Sequence, residues 1–318
     1  MNSVKLYPKK LCGDICVPPS KSISHRALIA GGLSDGTSVI DNIQFSNDIE
    51  ATIDVLSRMG VKVEKTGSDS VKVNGRNRFN FLTDEFDFGE SGSTLRFMIP
   101  ILMLSEKGIK LDGHGRLVQR PLKPYYDIFD SKKISYKNNN GNLPLEINGK
   151  LVPGRYELRG DISSQFITGL MFALPLLNGD SEIVLTTELE SKGYVDLTKD
   201  MLEKFSIHIK NNDYKSFSVK GNQKYMVSDC RIEGDFSQAV FYIAAGLIGD
   251  KICIHGLNID SHQGDKVSID ILRRMGAKIE YENENIISYP SKLNGTVIDA
   301  AECPDIIPVL AAAASVSR

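Results

Sequence analysis

The chain has 318 residues, of which 41% are apolar and 25% charged, and its formal net charge is −2. This length predicts about two domains, each with its own core, and the composition is that of an ordinary globular protein. A near-neutral balance excludes general affinity for nucleic acid or a membrane surface, so any anion-binding function has to be local. Residues 1–8 contain no apolar h-region and no apolar run reaches membrane-spanning length, so a cytoplasmic protein is expected. The five cysteines, Cys12, Cys16, Cys230, Cys253 and Cys303, include no Cys-x-x-Cys pair and read as reduced thiols. Cys12 and Cys16 read as packing residues. The scattered histidines, none at a metal-ligand spacing from a cysteine or another histidine, lead us to expect no zinc site.

The first informative stretch is Pro18-Pro19-Ser20-Lys21-Ser22-Ile23-Ser24-His25-Arg26. Two prolines fix an extended approach, hydroxyl residues follow, and Ala27-Leu28-Ile29-Ala30 begins an apolar helical run. Free backbone N–H groups and hydroxyls therefore gather beside Lys21 and Arg26, which suits a phosphate. A capped helix with two surface cations accounts for the same residues when they are taken alone. His25, one turn into the helix, reads as structural.

Downstream, Ser38-Val39-Ile40, Val61-Lys62-Val63 and Val71-Lys72-Val73 predict short strands. The segment from Asp54 to Val63 predicts a helix end, a turn at Gly60 and the start of a strand. The same pattern returns from Asp127, Asp200 and Asp270, at steps of 73, 73 and 70 residues. A second helix keeps time with it, opening at Ser22, at Ser91 to Thr94, at Ser163 to Gln165, at Asp235 to Gln238 and near Asp305. The chain is therefore a repeat of units with two helices and several strands, which must pack together to bury their sheets. Lys137 to Asn142 and Lys210 to Asp213 read as turns between strands. The fifth unit stops one helix in, so the chain is expected to end within its architecture.

The helix openings carry the candidate site residues. Gly92, Ser93, Thr94 and Arg96 combine a close-approach glycine, hydroxyl caps and an arginine, a fair anion cradle or simply a capped helix. Arg116 and Arg120, in the glycine-flanked 112–121 loop with His114, present planar guanidinium groups that grip phosphate or carboxylate bidentately, or lie in a solvated loop. Ser163, Ser164 and Gln165 offer neutral donors and acceptors for substrate oxygens. Ser191, Lys192 and Tyr194 add a hydroxyl, an amine and a phenol. Asp235 reads as a cap or hinge residue. Asp305, beside Pro304, is either a helix cap or, if it faces Lys21 across a cleft, a general base.

Taken together, these motifs resemble the 5-enolpyruvylshikimate-3-phosphate (EPSP) synthase family. Ser20 to Ala27 resembles its lysine-serine-arginine signature. Gly92 to Arg96, Arg120-Pro121, Ser163-Ser164-Gln165, Ser191 with Tyr194, and Asp305 follow in the family's order over the whole chain. The resemblance implies an α/β fold: an inside-out α/β barrel in two domains of three pseudo-repeats each. The first domain would be 18–230, and 1–17 would join 231–318 in an incomplete second. It implies that Lys21, Ser22, Arg26, Ser163, Ser164 and Ser191 hold shikimate 3-phosphate, and that Gly92, Arg120 and Gln165 hold phosphoenolpyruvate. Arg96 and Tyr194 would join the substrate-binding set. Lys21 would touch both substrates and Asp305 would take the proton from the 5-hydroxyl, with no metal or organic cofactor implied. The family carries further second-domain residues, a lysine, a glutamate and arginines that grip phosphoenolpyruvate and supply protons. They are absent here, so normal turnover is not expected of this chain. A monomer is the family expectation, with a dimer through apolar surface left uncovered by the incomplete domain as the variant. The nearest rival is the enolpyruvyl transferase acting on UDP-N-acetylglucosamine. It has a lysine-asparagine pair where this chain has Lys21-Ser22, and a cysteine where this chain has His114 and Arg116. A non-catalytic anion-binding scaffold is the alternative from another class.

Overall fold

One order of elements recurs four times along the chain in a computed structural model that describes residues 4–5, 7, 9–76, 81–105 and 107–318. Residues 1–3, 6 and 8, part of the stretch from which the absence of a leader was read, lie outside these. The order is strand, helix, strand, helix, strand, strand. It runs first as β1 (Gly13–Cys16), α1 (Lys21–Leu33), β2 (Gly36–Asp41), α2 (Asn47–Arg58), β3 (Lys62–Lys65) and β4 (Ser70–Gly75). It runs again as β5 (Glu85–Asp87), α3 (Gly92–Leu102), β6 (Ile109–Asp112), α4 (Lys123–Lys132), β7 (Ser135–Asn139) and β8 (Asn142–Asn148). The third passage is β9 (Gly154–Leu158), α5 (Ser164–Ala173), β10 (Ser181–Leu185), α6 (Lys192–Lys204), β11 (Ile209–Asn212) and β12 (Ser216–Val219). The fourth is β13 (Cys230–Arg231), α7 (Phe236–Ile248), β14 (Ile252–His255), α8 (Ser268–Arg274), β15 (Lys278–Glu282) and β16 (Asn285–Tyr289), after which α9 (Ile307–Ala314) follows.

The repeat has local causes. Ser91, Ser163 and Asp235 cap α3, α5 and α7 by accepting from the N–H groups of Thr94, Gln165 and Gln238 at 3.3, 3.3 and 3.1 Å. The second helix of each passage is followed by a left-handed residue: Gly60 (φ 88°), Lys133 (56°), Ser206 (63°) and Gly276 (95°). The chain turns there into its next strand. Lys210 to Asn212, read as a turn, are instead strand β11, because Ile209 and Asn211 pair with Val219 and Phe217 of β12. The left-handed turn begins at Asp213. Asn138 and Asn139 likewise belong to β7, with the turn at Asn140 and Gly141.

The sheets repeat as well. Among the described residues each has four strands in the same order, β5-β6-β8-β7, β9-β10-β12-β11, β13-β2-β4-β3 and β1-β14-β16-β15, with a parallel pair at one edge and antiparallel pairs elsewhere. Two leading strands are exchanged: β1 joins β14, and β13 joins β2. That exchange divides the chain into a larger unit, Lys21–Ile232, and a smaller one, Met1–Ser20 with Glu233–Arg318.

In the larger unit α1, α3 and α5 are buried on nearly every side, with Ala27 to Ala30, Ile99, Ile167 and Met171 wholly enclosed. Each such aliphatic side chain adds about 1.5–3 kcal/mol when fully buried. α3 and α5 approach so closely that a Cβ on Gly169 would stand 2.5 Å from the Arg96 carbonyl oxygen. Helices buried this thoroughly can hold charged groups only near their ends. The polar residues of α1, α3 and α5 accordingly concentrate at their first turns, where the candidate site residues lie. In the smaller unit α7 packs against β14, β16 and α9. Cys12 and Cys16, read as packing residues, are exposed, because β1 is an edge strand whose outer face is open. No described helix is long and apolar enough to cross a membrane.

Candidate anion-binding site

Gly92 opens α3, and the Arg120 guanidinium lies across it. A Cβ at Gly92 would stand 2.5 Å from Nη1 of Arg120, so only glycine leaves this path clear. The loop that delivers Arg120 is tied to the one before α3 by Phe88 N–H to Asp112 O (3.0 Å) and His114 N–H to Gly89 O (2.8 Å). Arg96, one turn into α3, donates to Gln165 Oε1 (2.8 Å) and to Pro121 O (3.2 Å), and lies 4.9 Å above the Phe166 ring. The Gln165 amide in turn donates to Ser93 Oγ (2.9 Å). Gly92, Ser93, Arg96, Arg120 and Gln165 thus occupy one place. Burial lowers the pKa of Arg96, and the neighbouring charge of Arg120 lowers it further. Neither arginine meets a carboxylate among the described residues. Two cations beside the positive end of a helix repel one another and the dipole, a cost that an anion between them reverses. Arg116, in the 115–119 turn, has no described contact with this group.

A second group forms where α1 begins. Lys21 Nζ pairs with Asp48 Oδ2 at 2.7 Å, with both side chains partly exposed. Arg26 is buried and donates to Thr198 Oγ1 (2.8 Å), Ser22 O (2.7 Å) and Tyr194 O (2.9 Å), with its guanidinium 5.1 Å above Phe97. Burial lowers its pKa to about 10. Three of its five N–H groups are therefore committed to the protein, and Arg26 works first as a strut joining the start of α1 to the start of α6. Ser191, just before α6, holds a left-handed conformation (φ 56°), a strained state for serine of the kind that collects at binding sites. Lys192 is turned toward Tyr214, 5.8 Å from its ring centroid. Ser164 is the buried first residue of α5, and Ser163 caps that helix.

Buried hydroxyls join the two groups. Ser91 Oγ meets Thr94 Oγ1 (2.7 Å), Thr94 meets Thr52 (2.8 Å), and Thr52 meets His25 Nδ1 (2.8 Å). Thr94 also donates to Asp48 O (3.3 Å), and Thr168 meets Thr198 (2.9 Å) between α5 and α6. Through these contacts the first turns of α1, α2, α3, α5 and α6 come together at one end of the larger unit. The sequence reading passed over Asp48, Thr52 and Thr198. Their signal is weak: a helical threonine is ordinary until the partner it reaches on another helix is known.

His25 is buried, as its position one turn into α1 suggests, and its Nε2 has no hydrogen-bond partner among the described residues. Desolvation pushes its pKa from 6.5 down to about 3. Between these values the unfolded chain binds a proton that the native chain refuses. Its contribution is therefore intact above pH 6.5 and is lost as pH falls toward 3, at up to about 1.4 kcal/mol per pH unit. Urea unfolding across that range should show the slope, and His25→Asn should flatten it.

Asp305 lies in the smaller unit, exposed, in the short 3-10 turn Pro304–Ile306. It does not cap α9: that helix begins at Ile307, and Ile306 holds the cap position. Asp235 does cap α7, through its side chain. The spacing along the chain was read as joining no histidine to a cysteine, yet the fold brings one of each together. Asp14, Cys253 and His255 place one possible ligand atom each within 4.8 Å of the others, assembled by strand pairing. A concavity of about 1020 Å³ lies at the other ends of α3 and α5, lined by Leu104, Ser105, Leu176 and Leu177. Helix C-termini present carbonyl oxygens and disfavour phosphate, so we place the anion site at the N-terminal ends despite that volume.

Known proteins share this architecture. A family model described as EPSP synthase (3-phosphoshikimate 1-carboxyvinyltransferase) matches residues 6–318. A 3-phosphoshikimate 1-carboxyvinyltransferase of Clostridium novyi (strain NT) is 50% identical over 326 residues, covering 100% of this chain and 75% of its own length. That of Clostridium kluyveri is 52% identical over 319 residues, covering 100% and 74%. An EPSP synthase structure from Acinetobacter baumannii superposes with a TM-score of 0.82 at 22% identity, over 98% of this chain and 73% of that one. The enolpyruvyl transferase NikO from Streptomyces tendae gives 0.76 at 14%, over 98% and 74%. These two structural likenesses concern the fold.

Proposed function

The chain belongs to the EPSP synthase family of 3-phosphoshikimate 1-carboxyvinyltransferases, and from that premise we propose that the helix ends gathered in Lys21–Ile232 hold shikimate 3-phosphate and phosphoenolpyruvate. The family's reaction moves the enolpyruvyl group of phosphoenolpyruvate to the 5-hydroxyl of shikimate 3-phosphate and releases phosphate. The observation that carries the reading is the convergence of Arg96 and Arg120 at the start of α3, cation beside cation with no described carboxylate.

Lys21, Ser22, Ser163, Ser164, Ser191 and Tyr194 face shikimate 3-phosphate, and Arg26 reaches it through the N–H groups that its struts leave over. Gly92, Arg96, Arg120 and Gln165 receive phosphoenolpyruvate. Two unit charges of one sign 4 Å apart repel by about 4 kcal/mol at an effective dielectric near 20, so bringing two phosphate esters together needs this concentration of cations and helix ends. In the family's reaction the 5-hydroxyl attacks C2 of the enolpyruvyl group as C3 takes up a proton and becomes a methyl, and the tetrahedral adduct then loses a proton from that methyl as it expels phosphate, which restores the C2–C3 double bond. Preorganised charge steadies that adduct, while Asp305 takes the hydroxyl proton, a role assigned from the resemblance. We also assign the inside-out α/β barrel of this family, supported by four sheets with one strand order.

Calorimetric titration of the chain with shikimate 3-phosphate tests the reading. Micromolar binding with no heat from UDP-N-acetylglucosamine supports it, whereas preference for the nucleotide sugar would reassign the chain. At the phosphoenolpyruvate end, Gly92→Ala should displace the Arg120 guanidinium and weaken phosphoenolpyruvate binding by about 10²-fold, the usual cost of moving a positioned group by about 1 Å. The melting temperature should barely change, because Arg120 is exposed.

A further inference from the structure

The sheet of the smaller unit carries an unassigned constellation on its outer face. In the parallel pairing of β1 with β14, Asp14 stands opposite Cys253 and Cys16 opposite His255. In the antiparallel pairing of β14 with β16, Ile254 stands opposite Ile286, and both are fully buried. Side chains alternate along a strand, so Asp14, Cys253, His255 and Asn285 share the other face. His255 Nε2 lies 3.2 Å from Asp14 Oδ1, and His255 Nδ1 lies 2.8 Å from Asn285 Oδ1.

These contacts define a chemical problem. An amide oxygen only accepts, so Asn285 Oδ1 takes the Nδ1 proton and leaves the Nε2 lone pair directed at a carboxylate oxygen. Two electron-rich atoms at 3.2 Å need something electropositive between or beside them: a second proton on the ring, the Cys253 thiol proton that Asp14 accepts, or a metal ion. The separation also accommodates the ion. Bonds of about 2.0–2.1 Å from a tetrahedral zinc to nitrogen and oxygen give an edge of about 3.3–3.4 Å. The neighbouring thiol supplies a soft third ligand, which selects zinc over magnesium or calcium. The amide on Nδ1 is the kind of outer partner that fixes a metal-binding histidine in its tautomer.

We propose that Asp14, Cys253 and His255 form a zinc site, with Asn285 orienting His255 and water in the fourth position. Cys16, opposite His255, turns its thiol toward Val17 O and stays outside the set. The ligands come from sequence positions more than two hundred residues apart, so the ion fastens the edge strand β1 to β14. None of these residues is among those proposed to bind substrate, and the test does not depend on them.

The test is titration of the metal-stripped 318-residue protein with Co²⁺ and then Zn²⁺. We expect one equivalent of Co²⁺ to bind with a sulfur-to-cobalt charge-transfer band that Zn²⁺ abolishes. Cys253→Ser should remove the band, and Asn285→Ala should weaken Zn²⁺ binding by about 10–100-fold. His255→Ala should weaken it at least as much, while Cys12→Ser leaves it unchanged. All of these side chains are at least partly exposed, and circular dichroism checks that each variant is folded. Absence of stoichiometric uptake by the wild-type chain would overturn the proposal in favour of a protonated His255–Asp14 ion pair. Wild-type Zn²⁺ affinity retained in folded Cys253→Ser and His255→Ala would overturn it too.

Discussion

Lys21→Met is expected to remove calorimetrically detectable binding of shikimate 3-phosphate under conditions that saturate the wild type, and to leave the melting temperature within a degree or two. The Lys21 side chain is 53% exposed, and its partner Asp48 is 32% exposed. An ion pair of that kind adds only about 0–1 kcal/mol to stability. The same ammonium against a bound phosphate is a different quantity. Truncating one partner of a desolvated charge pair costs about 2–5 kcal/mol, which corresponds to roughly 30- to several-thousand-fold in affinity. Binding and folding should therefore separate cleanly at this residue. A large fall in melting temperature with binding preserved would assign Lys21 to the fold and not to the site.

Arg26→Met should do the reverse first. The arginine is 2% exposed and satisfies Thr198, Ser22 O and Tyr194 O while covering Phe97. Methionine fills much of the volume but takes the arginine N–H groups away from the partly buried Ser22 and Tyr194 carbonyl oxygens and from the Thr198 hydroxyl. The expected loss is about 1–3 kcal/mol, the usual cost of leaving hydrogen-bond acceptors short of a donor. In a unit of this size that lowers the melting temperature by about 2–12 °C, at roughly 2–4 °C per kcal/mol. Shikimate 3-phosphate affinity should fall as well, because the starts of α1 and α6 lose their common strut. Scanning calorimetry of the two variants side by side decides the matter. An unchanged melting temperature in Arg26→Met would make Arg26 a ligand-facing group and remove the strut from the account.

What could be read from the sequence, and what could not, follows from the range of each interaction. The repeat was legible because its markers are local: Ser91, Ser163 and Asp235 cap the helices that they precede, and Gly60 and Gly276 turn the chain where a glycine predicts it. Lys133 and Ser206 hold the same left-handed position without being glycine, and the period located them. The asparagine-rich run at 210–212 misled because asparagine favours turns intrinsically, whereas pairing with β12 overrides that preference. Asp305 beside Pro304 looked like a cap, but the 3-10 turn delays the start of α9 past it. At the site, glycines, arginines and hydroxyls at helix openings were visible as types in a pattern. The Arg26–Thr198 bond and the Thr52–Thr94 contact were invisible, because nothing local distinguishes these threonines from others in helices. The grouping of Asp14 with Cys253 and His255 was hidden for the same reason: it depends on an exchanged edge strand.

The central claim is that the N-terminal ends of α1, α3, α5 and α6 form one anion-binding surface. Amide hydrogen exchange with and without saturating shikimate 3-phosphate tests it most directly, since the first N–H groups of a helix lack intrahelical partners and respond when a ligand oxygen accepts from them. The account predicts new protection concentrated at residues 20–26, 91–96, 163–167 and 191–195. Protection centred instead on the residues around Leu104, Ser105 and Leu176, or no protection at any of the four helix openings under saturating ligand, would contradict it.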